Sequence, residues 1–183
     1  MSQDMHEKMN HDMKKSYRNF AAMIAVSMLA MYAFMYLHLA EASHLRWSTM
    51  NFYMTVFMGA SMSVIMLAFM RGMYNNKKIN RAIYIGSVVV FLITLFLVRT
   101  QILERDQSFM SAMIPHHSMA ILNSENAQLE DVRVRQLADG IIQSQRREID
   151  EMNWLLADIA ENGIASTQAD AEARPVPEFG DEP

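Results

Sequence analysis

The run Phe109-Met110-Ser111-Ala112-Met113-Ile114-Pro115-His116-His117-Ser118-Met119 concentrates thioether and imidazole donors in one short segment. Thioether is a soft ligand and imidazole a borderline one. With no thiolate or carboxylate cluster beside them, they favour copper, above all Cu(I). On a helix, Met113 and His117 stand at i, i+4, and Met113 and His116 at i, i+3. Side chains so spaced lie about 5–6 Å apart at Cβ, close enough to share one ion. His116 and Met119 are also i, i+3. His116 and His117 are adjacent and point about 100° apart, so a regular helix does not let them chelate one ion together. Pro115 lacks an N–H and clashes with the preceding turn, so a kink is expected that would relax this limit. Downstream, Gln145, Glu148 and Met152 fall at i, i+3, i+7. Met152 is a candidate ligand from across a hairpin. Glu148 or Gln145 is a candidate to orient a histidine through its second ring nitrogen. The plainer reading is a pair of exposed histidines beside core methionines.

Composition narrows the classes. The chain has 183 residues, enough for one domain with appendages. Lys and Arg total 16 against 20 Asp and Glu, and no basic stripe points to nucleic acid. There is no Cys, which removes disulfides, zinc-thiolate sites and cysteine nucleophiles together. No nucleophile–base pair and no paired catalytic carboxylates stand out, so no enzymatic activity is expected. Methionine is the anomaly, at 19 residues. Mean hydropathy is only +0.01, but this average conceals long apolar stretches between polar segments.

Those stretches place the site. Phe20 to Ala40, Trp47 to Met70 and Ala82 to Val98 contain no formal charge. A helix rises about 1.5 Å per residue and a bilayer core is about 30 Å thick. The first two stretches span it. The third is extended by Ile102 and Leu103, with Arg99 able to snorkel. Three transmembrane helices are expected, at about 20–40, 47–70 and 82–98, within a membrane region of residues 20–99. A cleaved signal peptide is the competing reading of the first. Its apolar run is longer than the roughly 7–15 residues of a signal core, and two more spans follow. Lys8, Lys14, Lys15 and Arg18 precede the first span, and Arg71, Lys77, Lys78 and Arg81 lie between the second and third. Only Arg46 lies between the first and second. Positive residues stay cytoplasmic. The N-terminal segment 1–19 is thus expected inside and everything after the third span outside, which in a bacterium means the inner membrane with a periplasmic C-terminal region.

That region carries two helical patterns. The first runs from about Gln101 to Ala127, with Phe109, Met113, His116, His117 and Ala120 on one stripe. The second runs from about Asp131 to Asn162, with Leu137, Ile141, Gln145, Ile149, Met152, Leu156 and Ile159 at 3–4 spacing. Asp131 is a plausible N-cap and Gly163 a plausible stop. Residues 100–163 thus form a helical hairpin. Residues 164–183 hold three of the four prolines and five acids against one Arg, and read as a disordered acidic tail. A lone hairpin buries too little to be stable. It needs the membrane helices or a second copy of the chain, so homo-oligomerisation is expected.

The membrane methionines pose the same choice between ligand and packing. Met50, Met54, Met58, Met62, Met66 and Met70 recur every four residues and drift about 40° per step, so they spiral and do not line up. Met28, Met31, Met35 and His38 keep within about 80° of one face and are the better candidates for an intramembrane copper contact. Methionine is also an adaptable packing residue, and that reading is preferred for the spans. The N-terminal Met1, Met5, Met9, Met13, His6 and His11 read equally as a copper-scavenging segment or an ordinary tail.

The residues Asp106-Gln-Ser-Phe109, Met113-Ile-Pro-His116-His117-Ser-Met119-Ala120, and later Leu137-Ala138, Ile141-Ile142, Gln145, Glu148-Ile149, Met152 and Trp154 resemble the domain of unknown function family 305 over about residues 104–160. The stretch Met31-Tyr-Ala-Phe-Met-Tyr-Leu-His38 is similar to membrane-anchored members. The resemblance implies a ferritin-like helical fold and copper binding linked to copper tolerance. It implies Met113, His116 and His117 as ligands, with Met110, Met119 and Met152 as helpers. A single hairpin supplies half of a ferritin-like bundle, so oligomerisation or the membrane helices would complete it. Di-iron chemistry is not expected, since neither helix has the Glu-x-x-His pair it requires.

The expectation is an all-α integral membrane protein that sequesters or hands on copper at the outer face, exchanging it with a donor or acceptor the sequence does not identify. A non-metal oligomeric scaffold and part of a copper transport path are the alternatives. Binding to neutral imidazole predicts affinity that falls as pH drops through about 6.5.

Overall fold

The computed structural model describes residues 3–180, without the side chains of residues 3–8 and 10. Met1, of the N-terminal methionine run, lies outside the described residues, as do the side chains of Met5 and His6. The described chain is all-α. Its helices are α1 (Gln3–Phe34), α2 (Thr49–Phe69), α3 (Lys77–Thr100), α4 (Asp106–Asn126), α5 (Val132–Asn162) and α6 (Gln168–Ala173), with a short 3-10 turn at Ala42–His44. The chain divides into two compact units. Unit 1 comprises the residues up to Met35 and Met50–Leu103; unit 2 comprises Tyr36–Thr49 and the chain from Glu104 onward.

In unit 1, α1 is zipped along α2 and the connection after it. The Tyr17 hydroxyl donates to Asn80 Oδ1 at 2.6 Å, and the Asn76 N–H donates to Tyr17 at 3.2 Å. Phe20 meets Tyr74 edge-on at 5.3 Å. Phe20, Ile24, Leu67 and Tyr74 form the buried core, with Met23, Met28, Met62, Met66 and Met70 packed on it. Gly59 lets the Met28 side chain lie against α2: a Cβ there would meet the Met28 thioether at 2.4 Å and force it to shift. At the far end, Thr55 Oγ1 lies 3.8 Å from Met35 Sδ. α3 joins α2 through a Phe57–Phe91 stack at 4.4 Å. Asn76 caps α3, its side chain accepting from the N–H groups of Lys78 and Ile79.

Among the described residues, two helices, α2 and α3, are long and apolar enough to cross a membrane. The first expected span differs in its bounds. Its helix begins at Gln3, deep in the polar segment, and ends at Phe34, short of Ala40. From Tyr36 on the residues belong to unit 2, where the Ala40 N–H donates to Ser118 Oγ at 2.8 Å. Met35 keeps the helical bond to the Met31 carbonyl at 3.1 Å and stays in unit 1, whereas His38 lies beyond the helix, in unit 2.

Unit 2 is built on the α4–α5 hairpin. Asp131 caps α5 by accepting from the Arg133 N–H at 2.8 Å, and Gly163 ends it with φ +78°, a left-handed value that favours glycine. The core is Met110, Ile114, Ile121, Ile149 and Met152, with Met113, Ile142, Leu155, Leu156 and Ile159 against it. The buried stripe of α4 thus lies one residue from the expected one: Met110, Ile114, His117 and Ile121 face in, while Phe109 and His116 are exposed. In α5, Ala138 is buried and Leu137 is 65% exposed. Nearly every position from Phe109 to Ile114 is apolar or small, so pattern alone does not fix the register. Pro115 sits inside α4, which continues through it.

Residues 164–180 differ from the expected disordered tail. They carry α6, opened by a capping box in which Thr167 and Asp170 bind each other's backbone N–H. Arg174 pairs with Asp158 at 2.5 Å and donates to the Gly163 carbonyl at 3.2 Å, fastening the tail to the end of α5. The composition argument counts charge and proline, and it misses the single cation that has a carboxylate waiting.

Candidate metal centre

The sequence-predicted donors separate into two groups. Met110 and Met152 are both buried in one core cluster, and Met113 packs against it. His117, one turn beyond Met113, is 8% exposed. His116 and Met119 are on the exposed side of α4. The two histidine rings are 5.9 Å apart and nearly perpendicular, as adjacent helical positions require. The helix thus brings Met113 and His117 together, α5 adds Met152 to the cluster that holds Met110, and His116 and Met119 stay outside it.

His117 is held at both ring nitrogens. Nδ1 lies 2.8 Å from the Met113 carbonyl oxygen, and Nε2 lies 2.6 Å from Glu148 Oε2. A carbonyl only accepts, so Nδ1 carries a hydrogen and donates. The second bond also needs a proton, whether it sits on Nε2 or on the carboxyl group. Neither nitrogen then offers a free lone pair. Glu148, not Gln145, bonds His117, but with Nδ1 held by the Met113 carbonyl it occupies the one nitrogen a metal would need. Its side chain is 42% exposed, on a long flexible stem.

Sequence reasoning missed the partner on the other side of Ser118. Ser118 is fully buried. Its Oγ accepts from the Ala40 N–H and lies 2.9 Å from His44 Nδ1. Accepting from the backbone leaves the hydroxyl hydrogen for His44 Nδ1. His44 Nε2 faces Glu41 Oε2 at 3.9 Å. No motif pairs His44 with Ser118 in the sequence; only the return of the Tyr36–Thr49 segment does so.

Below this, Met110 and Met152 also floor an apolar groove of about 680 Å³, walled by Phe109, Leu155, Ile159 and the tail residue Val176. Among the described residues, no three His, Cys, Asp or Glu side chains come together in a group able to hold a metal ion. A metal bound here would therefore depend on thioether sulfur. The donor set suits a soft monovalent ion, on the condition that His117 exchanges one of its two hydrogen bonds for the metal.

Residues 98–178 match the family described as domain of unknown function, DUF305. An uncharacterised protein of Acanthamoeba polyphaga mimivirus is 36% identical over 108 residues, which cover 58% of this chain and 69% of the relative. The chain belongs to the DUF305 family. The matched residues take in the hairpin, the His117–Glu148 pair and α6, so the DUF305 region coincides with most of unit 2. No solved structure matches the chain.

Proposed function

We propose that this DUF305 protein is an integral membrane copper-binding protein that sequesters or hands on Cu(I) at the outer face of the membrane, contributing to copper homeostasis or tolerance. The observation that carries the reading is the grouping of donors in unit 2. The Met110 and Met152 thioethers share one core, Met113 packs on it, and His117 follows one turn later. Thioether and imidazole together select copper over harder divalent ions. His116 and Met119, exposed on α4, serve as entry ligands. No catalytic step is assigned to the site.

Three spans are part of the proposal. α2 and α3 satisfy the length and apolarity of a membrane helix. α1 is packed along α2 from Tyr17, beside Asn76, to Met35, beside Thr55. A helix fastened along a spanning helix crosses with it, although the helical part of its apolar run is only Phe20–Phe34. By the distribution of Lys and Arg, the N-terminus is cytoplasmic and unit 2 is extracytoplasmic.

One observation favours a second reading, an oligomeric scaffold without metal. Met110 and Met152 pack among Ile114, Ile121 and Ile149 as ordinary core residues do. A Cu(I) competition titration of the detergent-solubilised protein separates the two. The parent is expected to bind tightly near neutral pH, and a His116→Ala/His117→Ala variant to lose a binding component that weakens with acid. A variant that binds Cu(I) as the parent does, with the same pH profile, overturns the metal reading of this site.

A further inference from the structure

Unit 1 contains a second convergence of soft donors. Met9 and Met13 of α1 and Met73 of the α2–α3 connection line one cavity of about 360 Å³, together with Asp12, Ser16 and Tyr17. Met9 and Met13 are at i, i+4 and share a helix face. Met73 is distant in sequence, and only the fold brings it there.

The frame around the cavity is fixed. Tyr74, the residue after Met73, is buried between Tyr17 at 5.2 Å and Phe20 at 5.3 Å. Its carbonyl accepts from Asn80 Nδ2 at 2.7 Å, and the Met73 N–H donates to the Met70 carbonyl at 2.9 Å. The connection is thereby pinned to α1 beside the cavity. Packing does not account for these methionines. Met23, Met28, Met62 and Met66 pack against the core of unit 1, whereas Met9 is 46% and Met73 63% exposed. Met9 and Met73 are exposed thioethers that line one cavity with the half-buried Met13, where they add little packing and can act as ligands.

We propose that Met9, Met13 and Met73 form a binding site for a soft monovalent cation, Cu(I) or Ag(I), separate from the His117 group. Three neutral thioethers suit such an ion and discriminate against Mg²⁺, Ca²⁺ and Zn²⁺. The Asp12 carboxylate lines the same cavity, shared with His11 Nδ1 at 3.9 Å, and adds negative charge beside the sulfurs. Thioethers do not titrate, so binding here persists in acid, where imidazole ligands are protonated. The site stands on unit 1 alone and does not depend on copper binding in unit 2.

The test uses the full-length protein in detergent, with ¹³C-methyl-labelled methionine and Ag(I) as a redox-stable probe. At about pH 5.5 most unperturbed imidazoles are protonated. The methyl resonances of Met9, Met13 and Met73, assigned by single Met→Leu variants, are expected to move together at the first silver addition. The same shifts are expected in the His116→Ala/His117→Ala variant, so loss of the unit 2 site leaves this result intact. The Met9→Leu/Met13→Leu/Met73→Leu variant is expected to lose this acid-stable site while its other methionine signals hold their positions. Silver that leaves these three resonances in place in the parent overturns the proposal, whatever the variants do. So does a triple variant that takes up silver in acid as the parent does.

Discussion

His117 is the residue on which the metal reading turns, because both of its nitrogens face acceptors. The bond to the Met113 carbonyl is made within one helical turn and is fixed by the backbone. The bond to Glu148 is made by a partly exposed side chain that can swing away. Metal entry at Nε2 therefore displaces Glu148 and releases a proton. Glu148→Ala removes the competitor, and the expected outcome is tighter Cu(I) binding with a weaker pH dependence. Weaker binding in that variant would mean that Glu148 supports the bound metal. Ser118 makes a separate contribution, to stability. Replacing it with Ala leaves the partly buried Ala40 N–H and His44 Nδ1 without their partner, a loss of about 1 kcal/mol. Denaturant melts of the two proteins measure it, and equal midpoints would show that the Tyr36–Thr49 segment is not held by this contact.

At the scale of elements, what the sequence disclosed depended on how local the cause was. The ends of α5 were legible because Asp131 and Gly163 act on their own neighbours. The register of α4 was not, because an apolar run permits adjacent stripes and the choice between Phe109 and Met110 is made by packing on Ile149 and Met152. The stretch after α1 was hidden for a similar reason: its Ala40 N–H is bound by Ser118, far along the chain. The order within the candidate site was half legible. Met113 and His117 followed from helical spacing, and Glu148 from its place on α5. The second bond that occupies His117 involves a backbone carbonyl, which no pattern of side chains displays. The cap of α5 yields a test with a definite sign. The Arg133 guanidinium, then the Arg133 N–H, hold the Asp131 carboxyl below the usual carboxylate range. A lowered carboxyl stabilises the fold above its ordinary range and ceases to do so as pH falls through its folded value. Asp131→Asn keeps an acceptor for the N–H and loses the ion pair. Its small deficit in thermal midpoint is expected at about pH 7, and is expected to fade as pH falls through the folded value of Asp131 and to shrink in high salt. A deficit that stays constant across that range would assign the effect to capping alone.

For the whole molecule, the question is whether α1 crosses the bilayer with α2 and α3. Hydropathy alone answers for two helices, since the apolar part of α1 is short and its first half is charged. Packing supports the proposed crossing of α1. Tyr17 is bonded to the α2–α3 connection, and the partners of α1 then progress along α2 through Leu67 and Gly59 to Thr55. If α2 spans, the ends of α1 lie on opposite sides. The chain has no Cys, so single cysteines report position without background. In right-side-out vesicles, Ser43→Cys and Ser166→Cys are expected to react with a membrane-impermeant maleimide. His11→Cys and Asn75→Cys are expected to react only after permeabilisation. Labelling of His11→Cys together with Ser43→Cys, with Asn75→Cys protected, would leave two spans and take α1 out of the bilayer. The reverse of the whole pattern would put the DUF305 region in the cytoplasm, where the proposed sequestration would act on the cell's internal copper. Labelling of all four without permeabilisation would remove the membrane from the account and leave the apolar faces of α2 and α3 for other chains to cover.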